Sequence, residues 1–146
     1  MRLTFYSCLL IFVLTVILLV TGSSALGWTI LEDPYIPLGN VLTWLAVIAL
    51  PTSLYLGIKH FRSPMTKLDK IYKAIVIVSI MLGVLWYPVT WYLADNFSGS
   101  FGGNGVFRGS ARAGEYFWYY TYAIIGLPLL LLLSYFLFRL HGKFRK

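Results

Sequence analysis

Long apolar runs alternate with short polar connections along the chain, and run length sets the first reading. Four segments, near residues 3–22, 38–58, 71–95 and 115–138, are apolar almost without interruption. At 1.5 Å per residue each is long enough to cross a hydrocarbon core of roughly 30 Å as a helix. The pattern therefore predicts an all-α integral membrane protein, an up-down bundle of four transmembrane helices formed by a single membrane domain over residues 1–146. The first segment has one competing reading. Arg2 precedes it and Ser23-Ser24-Ala25 resembles a small-residue cleavage site, as in a secretory signal. Its roughly 18 apolar-rich residues exceed the usual signal core of about 7 to 15, so it reads as an uncleaved spanning helix.

Helices in lipid gain nothing by hiding apolar surface and associate instead through close packing, which small residues permit. At helical spacing, Thr4, Cys8, Thr15 and Gly22 share a face of the first segment, and Gly39, Ala46, Ser53 and Gly57 a face of the second. Ser79, Gly83, Thr90 and Ala94 do so on the third, and Ala123, Gly126 and Ser134 on the fourth. These stripes are the expected contact faces. Pro51, Pro88 and Pro128 interrupt the last three helices, so each should bend its helix and free one backbone carbonyl.

The connections differ in character. Pro34 and Pro37 stiffen the first, in EDPYIP. In the second, Thr66 followed by Asp69 has the form of a capping box, which starts the third helix ahead of the membrane and leaves Asp69 able to reach Lys73. The third, residues 96–114, has the composition of a flexible linker: FSGSFGGNGVFRGSARAG, at 97–114, holds six glycines and three serines.

Composition agrees with a lipid solvent, since 59% of residues are hydrophobic and only 12% charged, with a mean hydropathy of +0.77. One cysteine, Cys8, excludes an internal disulfide and a cysteine-based metal site. The net charge of +7 is unevenly placed. Arg2, Lys59, Arg62, Lys67, Lys70, Lys73, Arg139, Lys143, Arg145 and Lys146 fall at one end of the helices, and only Arg108 and Arg112 at the other. By the positive-inside rule both termini are expected in the cytoplasm, with the 96–114 loop outside a bacterial inner membrane or other plasma membrane. The basic residues at the first end form a rim suited to anionic inner-leaflet lipid, with Lys59, Arg62, Lys67, Lys70, Lys73, Arg139 and Lys143 as its members. Nucleic acid is not an expected partner, because no reading element accompanies the charge.

No Asp, Glu, Lys, Arg or His lies between the two interfaces. Ion-coupled carriers place an ionisable group at that depth, so the sequence argues against one. A pore lined by Ser, Thr and backbone groups of several copies stays open. His60 and His141 both end helices on the basic side, which admits haem ligation as an alternative to plain interfacial anchoring. No other cofactor or metal is expected. On the outer side Glu32, Asp33, Asp95 and Glu115 accompany Arg108 and Arg112, yet no catalytic motif fixes them relative to one another, and no catalytic residue is assigned.

All five tryptophans lie on the outer side or in the outward half of a helix. WYPVTWY at 86–92 and EYFWYYTY at 115–122 bring aromatic residues to one interface. An aromatic belt accounts for part of this bias; a partner or ligand surface is the second component. That surface is expected to comprise Trp86, Trp91, Tyr116, Trp118 and Tyr122 with Phe101, Phe107, Arg108 and Arg112 of the loop. The functional expectation is a non-catalytic accessory or interaction subunit of a larger membrane complex. The alternative is binding or transport of a lipophilic molecule, a lipid or quinone, through the bent helices.

Overall fold

A computed structural model describes residues 1–97, 101 and 107–144, with side chains described up to residue 140. Among the described residues five α-helices form: α1 (Arg2–Val20), α2 (Leu38–Gly57), α3 (Lys59–Arg62), α4 (Lys67–Ala94) and α5 (Ala111–Phe144). All but the single-turn α3 are long and apolar enough to cross a membrane. Between α1 and α2 lies a 3-10 turn (Ser24–Gly27), followed by a small antiparallel hairpin of β1 (Thr29–Leu31) and β2 (Ile36–Pro37). The proline-bearing connection is thus a folded hairpin.

α4 and α5 both start four residues before their apolar segments, because polar caps hold the extra turns. Thr66 Oγ1 accepts from the Asp69 amide at 3.1 Å while an Asp69 carboxylate oxygen accepts from the Thr66 amide at 3.0 Å, the reciprocal capping box. Ser110 Oγ accepts from the Ala113 amide at 3.2 Å at the head of α5. α4 ends where Asp95 turns left-handed, at φ 54°, a conformation a short polar residue tolerates.

The helices pack as a row. α1 lies against α2, α2 against α4 and α4 against α5, with a lesser contact between α2 and α5. α1 is the least covered: Thr15, the one buried residue in it, bonds to the carbonyl of Ile11 at 2.8 Å and approaches that of Leu42 on α2 at 3.4 Å. The expected small-residue stripe holds on α4, where Ser79, Gly83, Thr90 and Ala94 are buried. A Cβ at Gly83 would stand 3.0 Å from the carbonyl oxygen of Val47, so α2 and α4 touch backbone to backbone there. The stripe fails on α5. Ala123 is exposed, Gly126 faces open space, and α5 packs through Phe117, Thr121, Ile124, Leu131 and Tyr135 instead. With Pro128, also buried, these recur every three or four residues, the spacing of one helix face.

Two interior clusters result. One, at the basic end, gathers Phe61, Tyr72, Val76, Leu131 and Tyr135; the other, toward the opposite end, gathers Val47, Trp86, Phe117 and Ile124. One proline break is served by a neighbouring helix. Pro88 has no N–H for the carbonyl four residues back, and the indole Nε1 of Trp44 on α2 donates to that Val84 oxygen at 3.1 Å. Pro51 frees the carbonyl of Val47, the oxygen that faces Gly83. The carbonyls freed by Pro51 and Pro88 therefore lie along the α2–α4 seam.

Candidate functional site

At the end opposite the basic rim, the connection between α4 and α5 folds back onto α2, α4 and α5. Asn40, buried near the head of α2, donates from Nδ2 to the Phe97 carbonyl at 2.6 Å. The Phe97 ring stacks on Trp91 with centroids 5.2 Å apart. Phe101 covers Gly39 so closely that a Cβ there would stand 2.6 Å from its ring, and only glycine leaves room. Phe107 meets Phe117 edge-on at 5.7 Å, and the Arg108 amide donates to the Ala94 carbonyl at 3.0 Å. Residues 98–100 and 102–106 of the flexible-linker expectation lie outside the described residues.

This geometry redistributes the expected surface. Trp86 belongs to the interior: it is 2% exposed, and its Nε1 donates to Thr121 Oγ1 at 3.0 Å. Its position on the buried face of α4 overrides the preference of indole for the interface. Phe101 and Phe107 turn inward as described. Trp91, Tyr116, Trp118 and Tyr122 are exposed, as are Arg108 and Arg112. On α5 the exposed set forms an arc. Arg112, Glu115, Tyr116, Trp118, Tyr119 and Tyr122 project away from the face that carries Phe117, Thr121 and Ile124, at 100° per residue. Trp118 and Tyr122 stack within the arc at 5.5 Å.

Comparison with family models, curated proteins and solved structures finds no match. The site is therefore read from its own chemistry.

The basic end holds a second constellation, which sequence reasoning missed. Arg139 Nη2 lies 2.7 Å from His60 Nε2, and His60 Nδ1 lies 3.6 Å from Asp69 Oδ2. Guanidinium has no acceptor, so Nε2 accepts and the imidazole hydrogen sits on Nδ1, facing the carboxylate. Asp69 Oδ2 also accepts from the Thr66 and Met65 amides, at 3.0 and 3.2 Å. Asp69 thus faces His60, where reading along one helix face pointed to Lys73. The Arg139 guanidinium lies over the Tyr135 ring, 5.4 Å from its centroid. α3 makes the arrangement possible: its single turn swings His60 toward α4 and α5 and buries Phe61 against Tyr72 and Tyr135. The one legible signal was the capping box, which fixes Asp69 at the turn.

For the haem alternative, both ring nitrogens of His60 face protein partners, and the His141 side chain lies outside the described residues. Of the basic rim, Lys59, Lys67, Lys70 and Arg139 are exposed, Lys73 is half-buried, and the Lys143 side chain lies outside the described residues. Arg62 is half-buried with its Nε unpartnered, and its Nη1 lies 3.7 Å from the Met1 sulfur. Among the described residues no group of His, Cys, Asp and Glu is gathered as a metal site.

Proposed function

We propose that the chain is a non-catalytic subunit of a membrane assembly that docks its partner through the exposed arc of α5. The observation carrying this reading is the arc itself: Tyr116, Trp118, Tyr119 and Tyr122 stand exposed beside Arg112, on a helix whose opposite face is already packed. Aromatic residues and arginine are the side chains that protein interfaces concentrate, because they bury large area at low rotamer cost and keep a polar handle. A belt of headgroup-seeking rings needs no arginine on the same face. In this reading the four spans alternate in direction, both termini face the cytoplasm, and the arc lies at the outer interface of a plasma membrane. The distribution of Lys and Arg supports that orientation.

The test is purification from native membranes in mild detergent, at native expression, of the wild type and a Trp118→Leu/Tyr122→Leu variant. A stoichiometric membrane partner present with the wild type and lost with the variant is the expected result. A lone, monodisperse wild-type protein refutes docking. Orientation is checked by single cysteines at Lys70 and Arg108 in a Cys8→Ser background. An impermeant maleimide applied to intact cells should label position 108 and spare position 70.

A further inference from the structure

The basic end of the α4–α5 seam carries two adjoining cavities of opposite character. One is an apolar trough of about 420 Å³, walled by Ile75 of α4 and by Leu127, Leu131 and Leu137 of α5. Its Ser134 hydroxyl is already bonded to the Leu131 carbonyl at 2.9 Å, and the rest of the wall is mostly hydrocarbon. The other is a recess of about 190 Å³ lined by His60, Asp69, Tyr135 and Arg139 among others. Tyr72 lines both, so the two meet at its side chain. A volume of a few hundred Å³ is that of an ordinary small-molecule site.

The electrostatics of the recess are asymmetric. Asp69 is committed to the cap amides of Met65 and Thr66. His60 stands between Asp69 and Arg139 and turns one nitrogen to each, so the imidazole fixes the guanidinium without neutralising it. Among the described residues no carboxylate lies within ion-pair distance of Arg139. A guanidinium with free N–H groups at the mouth of an apolar trough suits a phosphate oxygen pair. The exposed Lys67 and Lys70 on the first turn of α4 add positive charge at the same end.

We infer that this seam is a discrete site for one anionic phospholipid, with an acyl chain in the trough and the headgroup phosphate on Arg139. It differs from diffuse attraction to a basic rim in stoichiometry and in its dependence on one residue. The full-length protein in detergent is titrated with phosphatidylglycerol or phosphatidylcholine of identical chains and examined by native mass spectrometry. The expected result is a single retained phosphatidylglycerol, preferred over phosphatidylcholine by about fivefold or more. Arg139→Gln should reduce that preference severalfold, while Arg2→Gln, which removes an equal charge from an exposed position outside the recess, should leave it nearly intact. Glycerophosphoglycerol, the headgroup without chains, should not compete at millimolar concentration. If Arg139→Gln misfolds by circular dichroism, Arg139→Lys replaces it, and a weakened preference is again expected. Equal uptake of the two lipids by the wild type overturns the inference, as does an unchanged preference in a folded Arg139 variant. Competition by the chain-free headgroup also overturns it, because a phosphate site alone would then account for binding.

Discussion

Pro88 and Trp44 stand on different helices but should behave as one unit. Proline at 88 leaves the Val84 carbonyl without its helical donor, and the Trp44 indole supplies one at 3.1 Å. Trp44→Phe keeps most of the ring and deletes that donor. In water a hydrogen bond of this kind contributes about 1 kcal/mol net; inside membrane proteins the measured range averages about 0.6 and reaches about 1.7. The loss should fall toward the upper part of that range, since the carbonyl left behind has no water to turn to. Some further loss comes from the smaller ring packing on Tyr87, whose centroid lies 5.2 Å away. Trp44→Phe should therefore cost about 1 to 2 kcal/mol. Pro88→Ala restores an N–H four residues beyond Val84, and in that background the carbonyl no longer needs the indole. The packing loss is common to both backgrounds and cancels in a double-mutant cycle, leaving a coupling of about 1 kcal/mol from the hydrogen bond. Reversible unfolding in mixed micelles, followed by far-ultraviolet circular dichroism, measures all four corners. If Trp44→Phe costs the same with proline or alanine at 88, the indole is not compensating for the proline, and the reasoning fails.

Other substitutions probe the packing and the loop. Gly83→Val should lose about 1 to 3 kcal/mol, because its Cβ would press on the Val47 backbone at 3.0 Å, whereas Gly126→Val, facing open space, should change stability by less than about 0.5; equal effects in a micelle unfolding assay would contradict the assigned helix contact. Thr121→Val removes the acceptor of the buried Trp86 indole and should lower stability by roughly 0.6 to 1.7 kcal/mol, with an unmoved unfolding midpoint as the contrary result. Asn40→Ala deletes the bond to the Phe97 carbonyl and should speed tryptic cleavage at the exposed Arg108 severalfold; a cleavage rate equal to wild type would mean that Asn40 does not hold the loop.

The four spans were legible because a run of twenty apolar residues has few alternatives to a membrane helix. Their polar ends were legible where a cap motif marks them, as Thr66 and Asp69 do for α4, but not at Ala111, whose extra turn is held by Ser110 without such a motif. The packing face of α5 was illegible for a physical reason. A helix apolar all round has no polar side to orient it, and the small residues Ala123 and Gly126 pointed the wrong way while large ones, Phe117 and Ile124, did the packing. The aromatic bias toward one end was readable, yet which rings turn inward depends on tertiary contacts, as Trp86 and Phe107 illustrate. The His60–Asp69–Arg139 arrangement draws on three separate elements, and no spacing along the chain announces it. The freed carbonyls followed from sequence too, since a proline names its orphan by position.

The connection after α4 touches α2 through Asn40 and Gly39, α4 through Ala94 and α5 through Phe117. One strap thereby clamps three helices at a single end, while the cavities lie at the other. The two ends are therefore joined by different means: the strap at one, and at the other the mutual ring contacts of Phe61, Tyr72 and Tyr135. A protein meeting the α5 arc near the clamp finds a preorganised surface and loses little affinity to rearrangement.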